Sequence, residues 1–103
     1  MVPAKKILEI DADLQDLIPQ FLENRKKDIA SLQAMVAQND LTAIAQLAHK
    51  IKGAAAGYGF ADLSKMASEM EVAAKNSDNG PLSDLAEKMK KHFENIEIHF
   101  VST

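Results

Sequence analysis

The chain has 103 residues, enough for one domain built round a single core. Its net charge of -3 offers no basic field for nucleic acid or an anionic membrane surface. It contains no cysteine, which excludes a disulfide scaffold, a thiolate metal site and a cysteine nucleophile.

The opening stretch "MVPAKKILEI" lacks the apolar h-region of a secretory leader, and no apolar run reaches membrane-span length. The expectation is a cytoplasmic monomer with residues 1–103 as one domain. No segment shows convincing alternation at period 2, whereas helical spacing runs through the whole chain. Asp11 or Asp13 can cap a short first helix that ends near Ile18. Pro19 lacks an N–H and fits the first turn of a second, longer helix. Phe21, Leu22, Ile29, Leu32, Met35 and Val36 form that helix's apolar stripe. The cluster Arg25-Lys26-Lys27 reads as solvated surface, as do Lys88, Lys90 and Lys91 further on. Asn39 and Asp40 favour a turn, and Asp40 can cap the next helix.

That next helix runs from about Leu41 to Gly57, with Ile44, Leu47, Ala48, Ile51, Ala55 and Tyr58 on one face. Gly57 and Gly59 can end it, and Tyr58 and Phe60 read as core anchors. A further helix follows with Leu63, Met66, Ala67, Met70 and Ala74 inward. "NSDNGPLSD" is a loop dense in turn formers, and Pro81 can occupy the first position of the last helix. The last stripe is Leu82, Leu85, Met89, Phe93, Ile96 and Phe100. The predicted fold is all-α: an antiparallel up-down four-helix bundle with a short additional N-terminal helix. The methionine and aromatic stripes are core and imply no cofactor.

One short run asks for another explanation. "AHKIKGAAAGYGF" spends three glycines in seven residues, although one glycine inside a helix costs about 1 kcal/mol relative to alanine. On a wheel of about 100° per residue centred on Ile44, His49 falls near 140° and Gly53 near 180°. Ala45 and Ala56 fall at about 100° and 120°, and Lys52 at about 80°. His49 is therefore expected at the surface among Ala45, Gly53 and Ala56, with Lys52 one turn along. Small neighbours leave the imidazole open to an approaching molecule. Neutral imidazole is a good nucleophile near pH 7, its ordinary pKa being about 6.5. Such a ring can accept a phosphoryl group, and Lys52 can neutralise charge on the phosphoryl oxygens.

Other readings stand beside this one. A surface histidine on a helix can be only that, as His92 and His99 are taken to be. The Ala/Gly face would equally suit a helical adaptor that docks a signalling partner without chemistry. A small metal or acid–base enzyme is disfavoured, because no Glu-x-x-His pair is present.

The residues His49, Lys52 and Gly53 match H-x-x-K-G, and with their helical flanks they resemble the histidine-containing phosphotransfer (HPt) family. Gly59 matches a glycine the family often places ten residues after the histidine, and "MASEME" resembles its later segment. The resemblance covers about Asp11 to Ala74. The last helix matches only in pattern, and Ala54-Ala55-Ala56 stand where many relatives carry serines. The resemblance implies a phosphocarrier, not an enzyme. His49 would take a phosphoryl group on Nε2 from a receiver-domain aspartate and pass it to another receiver. Lys52 would hold the phosphoryl oxygens, and Gly53 would leave room for the partner. Glu71 would accept a bond from Nδ1–H and fix the tautomer, unless it is a plain surface acid. Lys50, the second nearby cation, is expected to face solvent or a partner. The implied partners are receiver domains of hybrid histidine kinases and response regulators. No cofactor or metal of its own is implied, and the Mg²⁺ used in transfer would belong to the receiver.

Overall fold

The computed structural model describes residues 6–102. Residues 1–5, the start of the opening stretch read for a secretory leader, and residue 103 lie outside them. Strand β1 (Lys6–Asp11) leads into a 3₁₀ helix (Ala12–Leu17), followed by α1 (Ile18–Ala37), α2 (Leu41–Gly57), α3 (Ala61–Lys75), α4 (Leu82–Glu94) and β2 (Ile96–Val101).

The helices start and stop for local reasons. The Asp11 carboxylate accepts a bond from the Asp13 N–H at 2.9 Å, capping the short 3₁₀ helix. Pro19 sits in the first turn of α1, where its missing N–H costs nothing. Asn39, at φ 57°, turns the chain out of α1, a conformation its short polar side chain tolerates. Asp40 then caps α2 through the Ala43 N–H at 3.2 Å. Gly59 closes the α2–α3 turn at φ 87°, a region where a Cβ is strained. That turn brings the Phe60 N–H back to the Ala55 carbonyl at 2.8 Å. Pro81 precedes α4 as its cap rather than filling its first helical position.

Turns this short make consecutive helices antiparallel neighbours. Each of the four helices packs on the next, and α4 packs back on α1. The closest association is between α2 and α3, where Ala48, Ala55, Ala67 and Ala74 are all buried. Alanines at facing positions let two helix backbones approach. Ile44, Ile51, Leu63, Met70, Leu82 and Met89 complete the middle of the core. Phe60 is 1 % exposed and its ring lies 4.5 Å from that of Phe21. The Tyr58 ring lies 4.9 Å from that of Phe21, tilted by 54°, but Tyr58 is only half-buried, less than a core anchor.

Three expectations need correction. Strands flank the bundle within the described residues: β1 and β2 pair in parallel, with Lys6 opposite Ile96 and Asp11 opposite Val101. The last helix accordingly stops at Glu94, and Phe100 lies beside Ile10 in the sheet rather than continuing a helical stripe. "IEIHF" does alternate, but strand hydrogen bonds need a partner from the other end of the chain, and no local rule supplies one. Only Ile10 of this pair is fully buried, against the Gly59 turn. An ion pair between Lys6 and Asp62 further ties the sheet to the start of α3. Arg25, finally, is not solvated. It is 6 % exposed, paired with Asp28 at 2.9 Å, and its guanidinium lies 5.1 Å from the centre of the Phe21 ring.

Candidate functional site

The middle of α2 and the second half of α3 lie side by side, and their facing edge carries a compact polar cluster. His49 projects outward from α2 with 67 % of its side chain exposed. Glu71 reaches it from α3 with only 6 % exposed. The carboxylate therefore sits at the base of the site and the imidazole at its rim. His49 Nδ1 is 2.9 Å from Glu71 Oε2. Lys52 Nζ donates to Glu71 Oε1 at 2.8 Å, and Lys75 Nζ lies 3.0 Å from Oε2. Ser64 Oγ donates to the Lys52 carbonyl at 3.0 Å, joining the two helices just below.

The electrostatics follow from these contacts. The Lys52 ammonium, then the Lys75 ammonium, and less strongly the His49 ring hold the Glu71 carboxyl down at about 2, against the opposing effect of burial. Glu71 is thus ionised at neutral pH and can only accept hydrogen bonds. Facing that acceptor, Nδ1 of His49 carries a proton, and the neutral ring then has its lone pair on Nε2. Among the described residues no hydrogen bond occupies Nε2. In its neutral form the ring presents a nucleophilic Nε2 with its rear proton anchored and a cation close by.

The structure brings three of the sequence-derived residues together round one carboxylate. His49, Lys52 and Glu71 are in contact, and Glu71 is buried rather than a plain surface acid. Ala45 and Gly53 stand one turn before and after His49 on α2, with Ala56 further along. Gly53 and Ala56 are exposed and Ala45 is half-buried. A Cβ added at Gly53 would meet nothing within 4 Å, so no packing constraint in this fold asks for the glycine. A shallow depression lined by Ala45, Gln46, His49, Glu71 and Lys75 opens beside the ring. Lys50 points the other way, its Nζ 4.0 Å from Asp28 on α1 and its side chain 64 % exposed.

Lys75 was missed. Its signal was present, since a lysine four residues after a glutamate on a helix regularly reaches it. Nothing in that spacing says the glutamate is buried under a histidine from another helix. The His99 ring bonds Glu97 on its own strand, β2, far from the site. His92 is half-buried near Lys6, Asp62 and Ile96, where the sheet meets the bundle. Among the described residues no group of three or more potential ligands is placed to hold a metal ion. No described helix is long and apolar enough to cross a membrane.

The chain matches the family described as Hpt domain over residues 16–98. No curated protein and no solved structure gives a significant match. The match runs from the 3₁₀ helix to the middle of β2 and so takes in the whole four-helix bundle. A helical bundle of this kind, carrying an outward imidazole and matched along nearly its full length, belongs to the Hpt domain family of phosphocarriers, which exchange phosphoryl groups with receiver domains.

Proposed function

We propose that His49 is the residue that carries the phosphoryl group, with Lys52 and Glu71 as its working partners. The observation behind this reading is the Nδ1–Glu71 contact at 2.9 Å, which leaves Nε2 bare on an exposed ring. In the transfer step the Nε2 lone pair forms a bond to phosphorus as the acyl-phosphate bond on the receiver aspartate breaks. The electron pair of that bond returns to the receiver's carboxylate. Nδ1 keeps its proton, so the ring becomes cationic beside ionised Glu71, which stabilises it. Lys52 supplies positive charge to the phosphoryl oxygens, where transfer chemistry is mostly a matter of position and electrostatics. Delivery to a second receiver is the same step reversed.

Ala45, Gly53 and Ala56 form the ground on which the receiver settles. Their small side chains let its aspartate come within bonding range of Nε2. We assign the receivers to hybrid histidine kinases on the donor side and response regulators on the acceptor side. We further propose that the chain works in the cytoplasm as one monomeric domain.

Incubation with a receiver domain carrying labelled phosphate should place acid-labile, base-stable phosphate on this protein. His49→Gln should abolish that label while leaving receiver binding in place. Undiminished labelling of the variant would remove His49 from its role. Receiver binding with no transfer by the parent protein would support the adaptor reading instead.

A further inference from the structure

Glu71 has more counter-ions than a single histidine orienter requires. Lys52 holds Oε1 at 2.8 Å, while Lys75 shares Oε2 with the His49 ring at 3.0 Å. The two lysines differ in placement. Lys52 extends from the same helix as His49, one turn along, so its stem can carry the ammonium to the outer side of the ring. Lys75 extends from α3, four residues from Glu71, and is tied to the carboxylate by its own helix.

A phosphoryl group on His49 brings a charge of about -1.5 to -2 to the rim of the site. That charge competes with Glu71 for Lys52. Were Lys52 and the ring its only partners, its departure would strip a nearly buried carboxylate of its one full cation before the ring's own charge had developed, which is costly. Lys52 would then be held back from the phosphoryl oxygens that need it.

We propose that Lys75 is a positioning residue that retains Glu71, charged and aligned on Nδ1, while Lys52 transfers from the carboxylate to the phosphoryl group. The inference rests on His49 being the phosphoryl acceptor. It makes Lys75 act through Glu71, not on the phosphate. Lys52 exchanges one anion for another, and the carboxylate is never without a cation. The ring, made cationic by formation of the N–P bond, keeps its acceptor at Nδ1 throughout.

The test is a double-mutant cycle on the phosphotransfer rate, read by rapid quench from a phosphorylated receiver. It compares the parent, Lys75→Gln, Glu71→Gln and the double variant. A neutral amide at position 71 still accepts from Nδ1–H but needs no counter-ion. Lys75→Gln should therefore slow transfer by about three- to tenfold in the parent and leave the rate unchanged in the Glu71→Gln background. Lys75→Arg should restore most of the parent rate. An equal loss in both backgrounds would mean that Lys75 touches the phosphoryl group or the receiver directly, and would overturn the proposal. So would an unchanged rate in Lys75→Gln. A His49→Gln control that still accepts label would instead refute the acceptor assignment beneath it, so the two failures are separable.

Discussion

Gly53 offers the sharpest test of whether the small residues on α2 serve the fold or the partner. It lies within α2, where glycine costs about 0.5–1 kcal/mol relative to alanine through the freedom it loses on folding. An added Cβ meets nothing within 4 Å, so alanine introduces no clash, and the site is exposed, so it gains no burial. Gly53→Ala should therefore stabilise the protein by about 0.5–1 kcal/mol, a rise of roughly 2–8 °C in Tm for a domain of this size. The same change should slow phosphoryl transfer, and Gly53→Gln should slow it further. Forcing extra atoms into a packed contact costs about 1–3 kcal/mol, which corresponds to roughly 5- to 150-fold in rate if the receiver closes over this turn. Thermal unfolding followed by circular dichroism gives the first quantity, and quench-flow transfer from a labelled receiver gives the second. A lower Tm in Gly53→Ala would show that the glycine is structural after all. A parent-like transfer rate in Gly53→Gln would show that the receiver does not approach over it.

Three further outcomes are expected. Gly59→Ala should destabilise by about 1–2 kcal/mol, since its φ of 87° is strained for an L-residue and the new Cβ would stand 3.4 Å from Ile10 Cδ1; an unchanged urea midpoint would contradict this. Glu71, held at about 2 against an ordinary value of 4.5, contributes stability that is complete above about pH 4.5 and is lost as pH falls toward 2. Urea midpoints of the parent should thus drop more steeply over that window than those of Glu71→Gln, and parallel curves would refute the coupling. Burial, and then the Lys6 ammonium, push the His92 pKa below its ordinary 6.5. The unfolded chain takes up that proton first, so stability should be whole above about pH 6.5 and should decline below it. Tm values at pH 7.5 and 5.5 should differ more for the parent than for His92→Gln, in which neither Lys6 nor Asp62 faces an ionisable ring.

The helices and the chemistry-bearing face of α2 were legible because both are written in short-range spacing. Caps at Asp11 and Asp40, Pro19 in a first turn and stripes at three and four residues all act within one or two turns of chain. The same arithmetic turned His49 outward with Ala45 and Gly53 above and below it. The resemblance supplied Glu71, but not the depth at which it sits.

What the amino-acid order determined alone is the set of elements whose hydrogen bonds close on themselves. An α-helix satisfies its backbone four residues away, so its pattern can be read without knowing its neighbours. Only the tertiary structure decided the rest. β1 and β2 exist because the folded bundle brings the two chain ends together, and Phe100 left the helical stripe for that reason. Arg25 is buried because Asp28 and the Phe21 ring receive it, although its neighbours Lys26 and Lys27 are exposed. Glu71 holds a proton-bearing ring and two ammonium groups because α3 packs closely on α2. The spacing of charges along one helix cannot reveal a carboxylate shared between two.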